Sequence, residues 1–374
     1  MSASRFHVPP GGPYLLAHSV GCLSVSARDA LDRDLLAPWA SSGGDAWPQW
    51  LGTIDRFRSA LATLLGGAAT DYCPQPNLSA GLFAILSALP RRPSRDLIIA
   101  SAHSFPSLGF VAQQMERLGY QLVLLPEDQD PGELSTWGRA LSEKVAAVLV
   151  MHVHSNTGVV APVADIAALA RRNGVFTIVD IAQSAGILPI DIPNWSVDAV
   201  IGSCIKWLCG GPGAGYLWVD PAHIGELEPL PVGWFSHAEP FAFDIRDFRY
   251  APDARRFWGG TPSVAPYVLA TAGIATINDI GVPAILAHNR ALVARVADQA
   301  GDRWRRQFDR ANRGGTLCLN PGQAIGAIED KLIQRGCKFD RRGETLRLSF
   351  HLWNTFDDAN QVADCMSSVS VAPL

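Results

Sequence analysis

The feature that most limits how this chain can fold is the alternation of short apolar runs and amphipathic stretches between residues 97 and 219. Two of the runs, VFTIVDI at 175–181 and DAVIGS at 198–203, are almost continuously apolar, which is typical of strands covered on both faces of a sheet. The other predicted strands span 97–101, 121–126, 146–153 and 215–219, and helices are predicted at 107–118 and 162–173. This order predicts an α/β fold with a mostly parallel central sheet.

The regions outside that alternation suggest how the chain divides into domains. Before the alternating region, apolar spacing predicts helices at 52–66 and 82–89. After it, residues 220–262 are rich in proline, glycine and aromatic side chains, and a helical stretch follows at 264–300. The predicted elements of the last part are strands at TLCLN and TLRLSF and helices at 322–335 and 357–368. We predict an N-terminal segment (1–20), a large domain (21–258) and a small α/β domain (259–374).

Composition argues against several classes of function. The chain has 374 residues and a net charge of −4, which gives no electrostatic reason to bind nucleic acid or an acidic membrane. Its seven cysteines are scattered without a C-x-x-C pair, so neither a disulfide framework nor a metal site is expected. The N-terminus lacks the apolar core of a signal peptide, and no run of about 18 apolar residues is present. A cytoplasmic protein with reduced thiols is therefore expected.

Two ionisable residues follow neighbouring predicted strands. Asp180 closes the strand VFTIVD, and Lys206, one of four lysines, comes three residues after DAVIGS. Because ligands of parallel sheets bind beyond the carboxyl ends of the strands, both side chains are expected in one site. Pyridoxal 5'-phosphate (PLP) needs such a pair, since a lysine binds it as a Schiff base and a carboxylate keeps its pyridine nitrogen protonated. For an arbitrary aspartate and lysine, a helix cap and a surface side chain are the commoner roles.

Eight stretches along the chain carry a family resemblance. They are PYLLAHSVG (13–21), AHSFPS (102–107), VHSNTGVVAPV (153–163), VDIAQSAGILPIDI (179–192), IKWLCGGPGAGYLWV (205–219), GWFSH (233–237), FWGGTPS (257–263) and LRLSFHLWNTFDD (346–358). In them the sequence resembles the fold-type I PLP enzymes of the class V aminotransferase superfamily, and within it most closely the kynureninases. The resemblance implies the fold-type I architecture, PLP in the large domain, an amino-acid substrate, and a homodimer with sites at the subunit interface.

The resemblance also implies roles for residues at the cofactor ring. Lys206 would form the internal aldimine and later move protons, and Asp180 would pair with the pyridinium. Gln183 would contact the ring hydroxyl or the lysine. Phe105 would stack on the face of the ring, with packing in the core as the alternative.

A second implied group of residues binds the cofactor phosphate. Leu78 and Ser79 would contribute at the start of the helix predicted at 82–89, where backbone amides attract anions. Ser203 and Trp234 would complete the site, together with Thr261 from the neighbouring subunit. A plain N-cap remains the alternative for Ser79.

Substrate contacts are implied as well. Arg347 would hold the α-carboxylate through a bidentate pair, with a surface arginine at the strand end as the alternative. His18, Trp258 and His237 would line the substrate pocket, with structural roles as open alternatives. Cys318 lies within an apparent strand, so it is interpreted as a core thiol and not as the sulfur-accepting cysteine of a desulfurase.

Three departures from the kynureninase pattern leave the reaction open. Ile205 stands where that family has a tyrosine, Gln183 replaces a histidine, and Leu108 replaces an aspartate. The leading hypothesis is hydrolytic Cβ–Cγ cleavage of a β-acyl amino acid, kynurenine or an analogue, through a quinonoid. The alternatives are a C–S lyase or desulfurase-like reaction, epimerisation, transamination, and a catalytically silent scaffold.

Overall fold

A computed structural model describes residues 3–301, 304 and 312–369 of the chain. The strands in these residues are β1 (Phe6–His7), β2 (Leu23–Ser24), β3 (Tyr72–Gln75), β4 (Leu97–Ser101), β5 (Gln121–Leu125), β6 (Val145–Met151), β7 (Phe176–Asp180), β8 (Ala199–Ser203), β9 (Gly215–Val219), β10 (Thr316–Leu319), β11 (Asp340–Arg342) and β12 (Thr345–Ser349). Seven of them form one sheet in the order β3-β9-β8-β7-β6-β4-β5. Neighbours between β8 and β5 run parallel, whereas β9 is antiparallel to β8 and β3. The predicted α/β fold with a mostly parallel sheet is confirmed.

Helices cover and connect these strands. They are α1 (Ser26–Leu31), α2 (Ala37–Ser42), α3 (Trp47–Leu65), α4 (Leu78–Ser87), α5 (Pro106–Gln114), α6 (Leu134–Ala140), α7 (Val163–Arg172), α8 (Ile192–Trp195), α9 (Pro221–Ile224), α10 (Ala265–Ile280), α11 (Val282–Ala300), α12 (Ile325–Gln334) and α13 (Phe356–Ser367). A π-helical stretch, Asp32–Leu36, joins α1 to α2. The buried face of α3 has the 3–4-residue spacing that predicts an amphipathic helix. Gly66, with φ of 88°, follows as its C-cap.

The large sheet is buried on both faces, as its apolar strands predict. Along β6, Val148 and Val150 belong to one hydrophobic cluster, and the alternate residues Ala147 and Leu149 belong to a second. Side chains of a strand point alternately to opposite faces, so each cluster lies on one side of the sheet. Helices α3, α7 and α10 contribute to the first cluster, and α4 and α5 contribute to the second.

The helix predicted at 264–300 is two helices that meet at Gly281. Helices α10 and α11 are bent by 80° relative to each other. Gly281 has φ of 87°, a conformation that ends a helix and favours glycine. The two helices contribute mainly to different parts of the core: most of α10 packs in the first cluster, and most of α11 packs with β10, β12, α12 and α13 in a third. Ile277 and Ile285, on either side of the break, share a fourth cluster. The predicted domain boundary at residue 259 stays a prediction.

The C-terminal sheet includes a strand that the sequence did not predict. Its order is β10-β12-β11, with both pairs antiparallel. The unpredicted strand, β11, turns into β12 at Gly343, whose φ is 54°. The N-terminal segment joins this sheet, since the Leu15 amide donates to the Lys338 carbonyl and Leu15 lies in the third cluster. Within the described ranges, no single helix is long and apolar enough to span a membrane, and only the bent pair α10–α11 passes that test by length and composition.

Candidate active site

Asp180 and Lys206 lie at the carboxyl edge of two adjacent parallel strands. Asp180 is the last residue of β7 and is in register with Ile201 of β8. Lys206 lies three residues beyond the end of β8, in a turn crossed by the N-terminal segment. That crossing needs a glycine at position 21, because a Cβ there would lie 2.2 Å from the Lys206 carbonyl oxygen. The structure therefore brings the two residues together as the sequence predicts.

The two groups change each other's ionisation. Burial lowers the pKa of Lys206, and the positive charges of Arg347 and Arg342 act in the same direction, against the opposing charge of Asp180. Burial raises the pKa of Asp180, whereas the Lys206 charge and a 2.8 Å hydrogen bond from the Ala182 amide oppose that rise. The amine is shifted toward its neutral, nucleophilic form.

An aromatic ring faces the lysine. Phe105 lies between β4 and α5 as the N-cap residue of α5, and Pro106 occupies the first helical position. The centroid of its half-buried ring is 5.7 Å from Lys206 Nζ. The guanidinium carbon of Arg342 lies 5.5 Å from the same centroid. Phe105 thus lines the site, as predicted.

The residues predicted for the phosphate lie at the start of α4. The helix begins at Leu78, four residues earlier than predicted, and its N-cap is Asn77, whose side chain accepts from the Ala80 amide at 2.9 Å. The alternative of Ser79 as an N-cap is therefore wrong, and Ser79 lies in the first turn. Ser203 ends β8 opposite Gly215, and a Cβ on Gly215 would lie 2.9 Å from the Asn77 backbone. This places the amides of the α4 N-terminus beside the ends of β8 and β9.

Gln183 and His18 pack together beneath the site. The Gln183 amide nitrogen donates to the His18 carbonyl at 3.1 Å, and its oxygen accepts from Trp207 Nε1 at 3.4 Å. His18 is 1% exposed, and burial lowers its pKa. Its Nδ1 lies 2.6 Å from Ser349 Oγ, whereas its Nε2 has no hydrogen-bond partner in the described part of the chain. Both hydrogen bonds of the Gln183 side chain are to protein groups, and its role at the cofactor stays a prediction.

Arg347 is already paired within the chain. It is 1% exposed, and its Nε donates to Asp340 Oδ1 at 2.6 Å while its Nη2 donates to Asp340 Oδ2. Its Nη1 donates to the Ser155 carbonyl at 3.0 Å. Burial acts to raise the pKa of Asp340, but its interactions with His18 and Arg347 hold that pKa well below the usual range. Asp340 thus occupies one edge of the Arg347 guanidinium, and the predicted bidentate pair with a substrate α-carboxylate stays a prediction. The alternative of a surface arginine is wrong, because Arg347 is buried.

Trp234 and Thr261 contact each other. Trp234 Nε1 donates to Thr261 Oγ1 at 3.3 Å, and its ring contacts Phe235, Phe241 and Phe243. Thr261 is exposed. The roles of Trp234 and Thr261 at the cofactor phosphate stay predictions.

Two predicted substrate residues have structural partners. Trp258 packs against both core clusters of the large sheet and contacts Phe235 with ring centroids 5.2 Å apart. His237 bonds the backbone of its own loop, through Nδ1 to residue 239 and through Nε2 to the Asp247 carbonyl at 2.7 Å. The structural alternative is supported for both side chains.

Sequence reasoning missed Asp340 and Arg342. Both lie on β11, a three-residue polar strand with no apolar periodicity. The available signal was the sequence DRRGET, whose glycine favours a hairpin turn and so pairs these residues with the strand of Arg347.

Comparison with known proteins identifies the family. The family model described as Aminotransferase class-V matches residues 79–362. This chain belongs to the class-V aminotransferase family. A curated kynureninase of Deinococcus radiodurans is 31% identical over 291 residues, covering 75% of this chain and 69% of the relative. One of Pseudomonas fluorescens is 27% identical over 377 residues, covering 95% of this chain and 88% of the relative.

Solved structures with the same fold support this class-V assignment. The apo cysteine desulfurase of Thermococcus onnurineus superposes with a TM-score of 0.81 at 20% identity, covering 95% of this chain and 94% of that one. A C-DES mutant with glycine covalently linked to its PLP cofactor superposes with a TM-score of 0.84 at 21% identity, covering 99% and 100%. The likeness confirms the fold-type I architecture. The class-V chain is therefore a PLP-dependent enzyme.

The described residues fit PLP. Lys206 and Asp180 supply the amine and carboxylate, Phe105 supplies a ring face, and the α4 N-terminus supplies amides for a phosphate. The buried hydroxyl of Ser104, beside Phe105, has no hydrogen-bond partner among the described residues and is a further polar atom at this edge.

Two of the three positions that depart from the kynureninase pattern are apolar in this class-V chain, and the third, Gln183, is polar and buried. Leu108 is 1% exposed and packs in the second cluster. Ile205 is half-buried.

Cys318 is also half-buried and lies opposite Arg347 in the C-terminal sheet, outside the third core cluster, so the interpretation as a core thiol is wrong.

Proposed function

We propose that this PLP-dependent enzyme hydrolyses the Cβ–Cγ bond of a β-acyl amino acid, with kynurenine or an analogue as substrate. What supports the proposal is the site of Lys206, Asp180 and Phe105 in a chain whose curated relatives include kynureninases covering up to 98% of its length. Addition of water to that bond yields alanine and the carboxylic acid of the acyl group.

Each residue of the site has a task in this reaction. PLP, when bound, supplies an electron sink for the substrate Cα. Lys206, with its lowered pKa, can accept a proton and return it. Asp180, buried at the end of β7, faces the site with a charge that stabilises a protonated ring nitrogen. Phe105 would cover one face of the bound PLP ring and exclude water from that face.

The hydrolysis also needs a group that positions water, and Ile205 and Leu108 cannot do so. His18 is the group that we propose instead. Its Nε2 is buried, has no hydrogen-bond partner in the described ranges, and lies 3.6 Å from Asp340 Oδ1. The Asp340 carboxylate favours the tautomer of the neutral imidazole with its proton on Nε2, which can position a water by donating a hydrogen bond to it.

Incubation with L-kynurenine tests the proposal. We expect equimolar anthranilate, followed by its fluorescence, and alanine, with no product from Lys206→Ala. Turnover of cystine or cysteine without turnover of kynurenine would favour the C–S lyase alternative. A protein that gains no visible absorption on addition of PLP would favour the scaffold.

We also propose that the enzyme is a homodimer. The segment 230–248 exposes a group of large apolar side chains, which are Leu230, Val232, Phe241, Phe243, Ile245 and Phe248. Ile245 is 98% exposed, and an apolar surface of this kind is usual at a contact. Ile245→Asp should shift the sedimentation of the protein to that of a monomer, whereas Ile333→Asp, at an exposed position of α12, should leave it a dimer. A cytoplasmic location stays a prediction from the sequence.

A further inference from the structure

A cavity lies at the edge of the large sheet opposite the candidate active site. Its volume is about 470 Å³, which is within the range of small-molecule sites. Phe176, the first residue of β7, and Asp198, which directly precedes β8, line the cavity. Asp180 is the last residue of the same strand β7, and a strand rises about 3.3 Å per residue, so roughly 13 Å of sheet separates the cavity from the active site. The two sites are therefore distinct.

The floor of the cavity is apolar. Leu89, Val175 and Leu227 line it and are buried. The half-buried ring of Phe176 lies beside them, with its centroid 5.7 Å from that of the His223 ring. Aromatic rings pack favourably at such separations, so this wall favours a ligand with a ring of its own.

Three arginines line another part of the cavity. Arg92 is exposed, and its side chain makes no hydrogen bond or ion pair with any of the described residues. Arg95 donates through Nη1 and Nη2 to the carbonyls of residues 145 and 173, both at 2.9 Å, and Arg171 donates through Nη2 to the carbonyl of residue 196. Because a guanidinium has five N–H donors, all three arginines retain donors for a carboxylate.

Three carboxylates line the cavity as well, and one of them has no local partner. Asp198 is bonded to a backbone amide and to His223, and Asp220 caps α9 by accepting from a backbone amide at 2.9 Å. Glu226 is exposed, and its side chain makes no hydrogen bond or ion pair within the described ranges. Arg92 and Glu226 thus remain as an unpaired cation and an unpaired anion of one cavity.

This charge pattern selects among classes of ligand. The three arginines and the three acids of the lining sum to zero charge, which favours a ligand that is neutral overall. A simple anion would leave Glu226 without a partner, and a simple cation would do the same to Arg92. A zwitterion supplies a partner of opposite charge to each.

We propose that the cavity binds an aromatic α-amino acid, whose carboxylate pairs with Arg92 and whose ammonium group pairs with Glu226. The ring of this ligand packs against Phe176 and the apolar floor. This inference goes beyond the proposed function and does not depend on the reaction at Lys206, because the cavity is at the other edge of the sheet.

Calorimetric titration of L-phenylalanine tests the inference. The protein is the PLP-bound enzyme after borohydride reduction, so that an amino acid cannot react at Lys206. We expect one molecule of L-phenylalanine bound per chain. 3-Phenylpropionate lacks the ammonium group and phenethylamine lacks the carboxylate, so each should bind at least about 10-fold more weakly, the scale of one lost charge-assisted hydrogen bond.

Two substitutions at exposed positions assign the groups. Arg92→Gln should weaken L-phenylalanine by at least about 10-fold and leave phenethylamine unchanged, because phenethylamine has no carboxylate. Glu226→Gln should weaken L-phenylalanine by a similar factor and leave 3-phenylpropionate unchanged.

The neighbouring residues Arg91 and Glu228 offer matched controls, since neither lines the cavity. Arg91 donates to the Gly119 carbonyl at 2.8 Å and lies over the Tyr120 ring. Arg91→Gln and Glu228→Gln should both keep the wild-type affinity for L-phenylalanine.

Three results would overturn the inference. They are no binding of L-phenylalanine at concentrations up to about 10 mM, equal affinity for L-phenylalanine and 3-phenylpropionate, and binding that survives both Arg92→Gln and Glu226→Gln. Each is independent of turnover of kynurenine, so a failure here and a failure of the proposed reaction are distinguishable.

Discussion

Lys206 Nζ lies 5.7 Å from the centroid of the Phe105 ring, so the amine and an aromatic face border the same space. A flat cofactor bound between them requires the lysine for its covalent attachment. We therefore expect Lys206→Ala to abolish turnover and to leave PLP removable by dialysis, as followed by the visible spectrum and by the mass of the denatured protein after borohydride reduction.

Lys144→Ala is the control for that change, because Lys144 is exposed at the opposite edge of the sheet, just before β6. It should keep the added mass of the reduced cofactor. A Lys206→Ala protein that still carries this mass would show that another amine binds PLP.

Asp180→Asn should lower turnover by at least ~100-fold, the scale of removing one electrostatic group at a reacting centre. The amide keeps an oxygen for the Ala182 N–H bond, so the variant removes charge while retaining shape. Without the Asp180 charge, the pKa of Lys206 should fall further, because that charge acts to raise it. The pH dependence of Lys206 acetylation in the PLP-free protein measures this shift.

Asp198→Asn is the matched control. Asp198 lies at the amino end of β8, where it accepts a hydrogen bond from the Thr177 amide at 2.6 Å and pairs with His223 Nε2 at 2.9 Å. Asp198→Asn should leave the pH dependence of Lys206 acetylation unchanged. If Asp180→Asn and the wild type show the same pH dependence of Lys206 acetylation, the charge of Asp180 does not affect the pKa of Lys206.

The sheet was predictable because burial on both faces marks its strands in the sequence. The runs at 97–101 and 215–219 match β4 and β9 residue for residue. Strand β11 was not predictable, since DRR has neither alternation nor apolar residues and forms only because β12 pairs with it. The break at Gly281 was missed because apolar residues continue across it, although Gly281 and Pro283 mark the end of one helix and the start of the next.

The candidate active site was likewise predictable only in part. Asp180, Lys206 and Phe105 lie at or just beyond the carboxyl ends of β7, β8 and β4, so their position at one edge of a mostly parallel sheet could be predicted. The partner of Arg347 could not, because it depends on the register of a strand that the sequence does not mark. Gln183 could be placed near the lysine, but its bonds to His18 and Trp207 require the crossing of the N-terminal segment.

Acid should destabilise the protein through its buried histidines. Burial lowers the pKa of His351 from 6.5 to about 4, and its Nδ1 accepts from the Leu352 amide while its Nε2 lies 3.2 Å from the Trp207 carbonyl. The unfolded chain binds this proton near pH 6.5 and the folded chain only near pH 4. The neutral imidazole thus contributes stability that is present above pH 6.5 and is lost between 6.5 and 4, approaching about 3 kcal/mol.

Urea unfolding at several pH values measures this loss. His351→Gln should have a lower free energy of unfolding than the wild type at pH 7. Its free energy of unfolding should fall less steeply toward pH 4, with a slope that corresponds to up to one fewer proton taken up on unfolding. His7→Gln, at an exposed position, should keep the wild-type slope. A slope unchanged by His351→Gln would place the acid sensitivity elsewhere, as at His152 or His154, whose pKa values burial also lowers to about 4.

Two glycine substitutions should change stability in opposite directions. A Cβ on Gly281 meets open space, with Pro283 Cδ nearest at 4.0 Å, so Gly281→Ala is opposed only by the φ of 87° and should cost about 1 kcal/mol. Gly109 lies inside α5, and a Cβ there has no neighbour within 4 Å. Gly109→Ala should therefore raise the free energy of unfolding by about 0.5–1 kcal/mol through helix propensity. If Gly281→Ala is as stable as the wild type in urea, helices α10 and α11 do not need the left-handed turn between them.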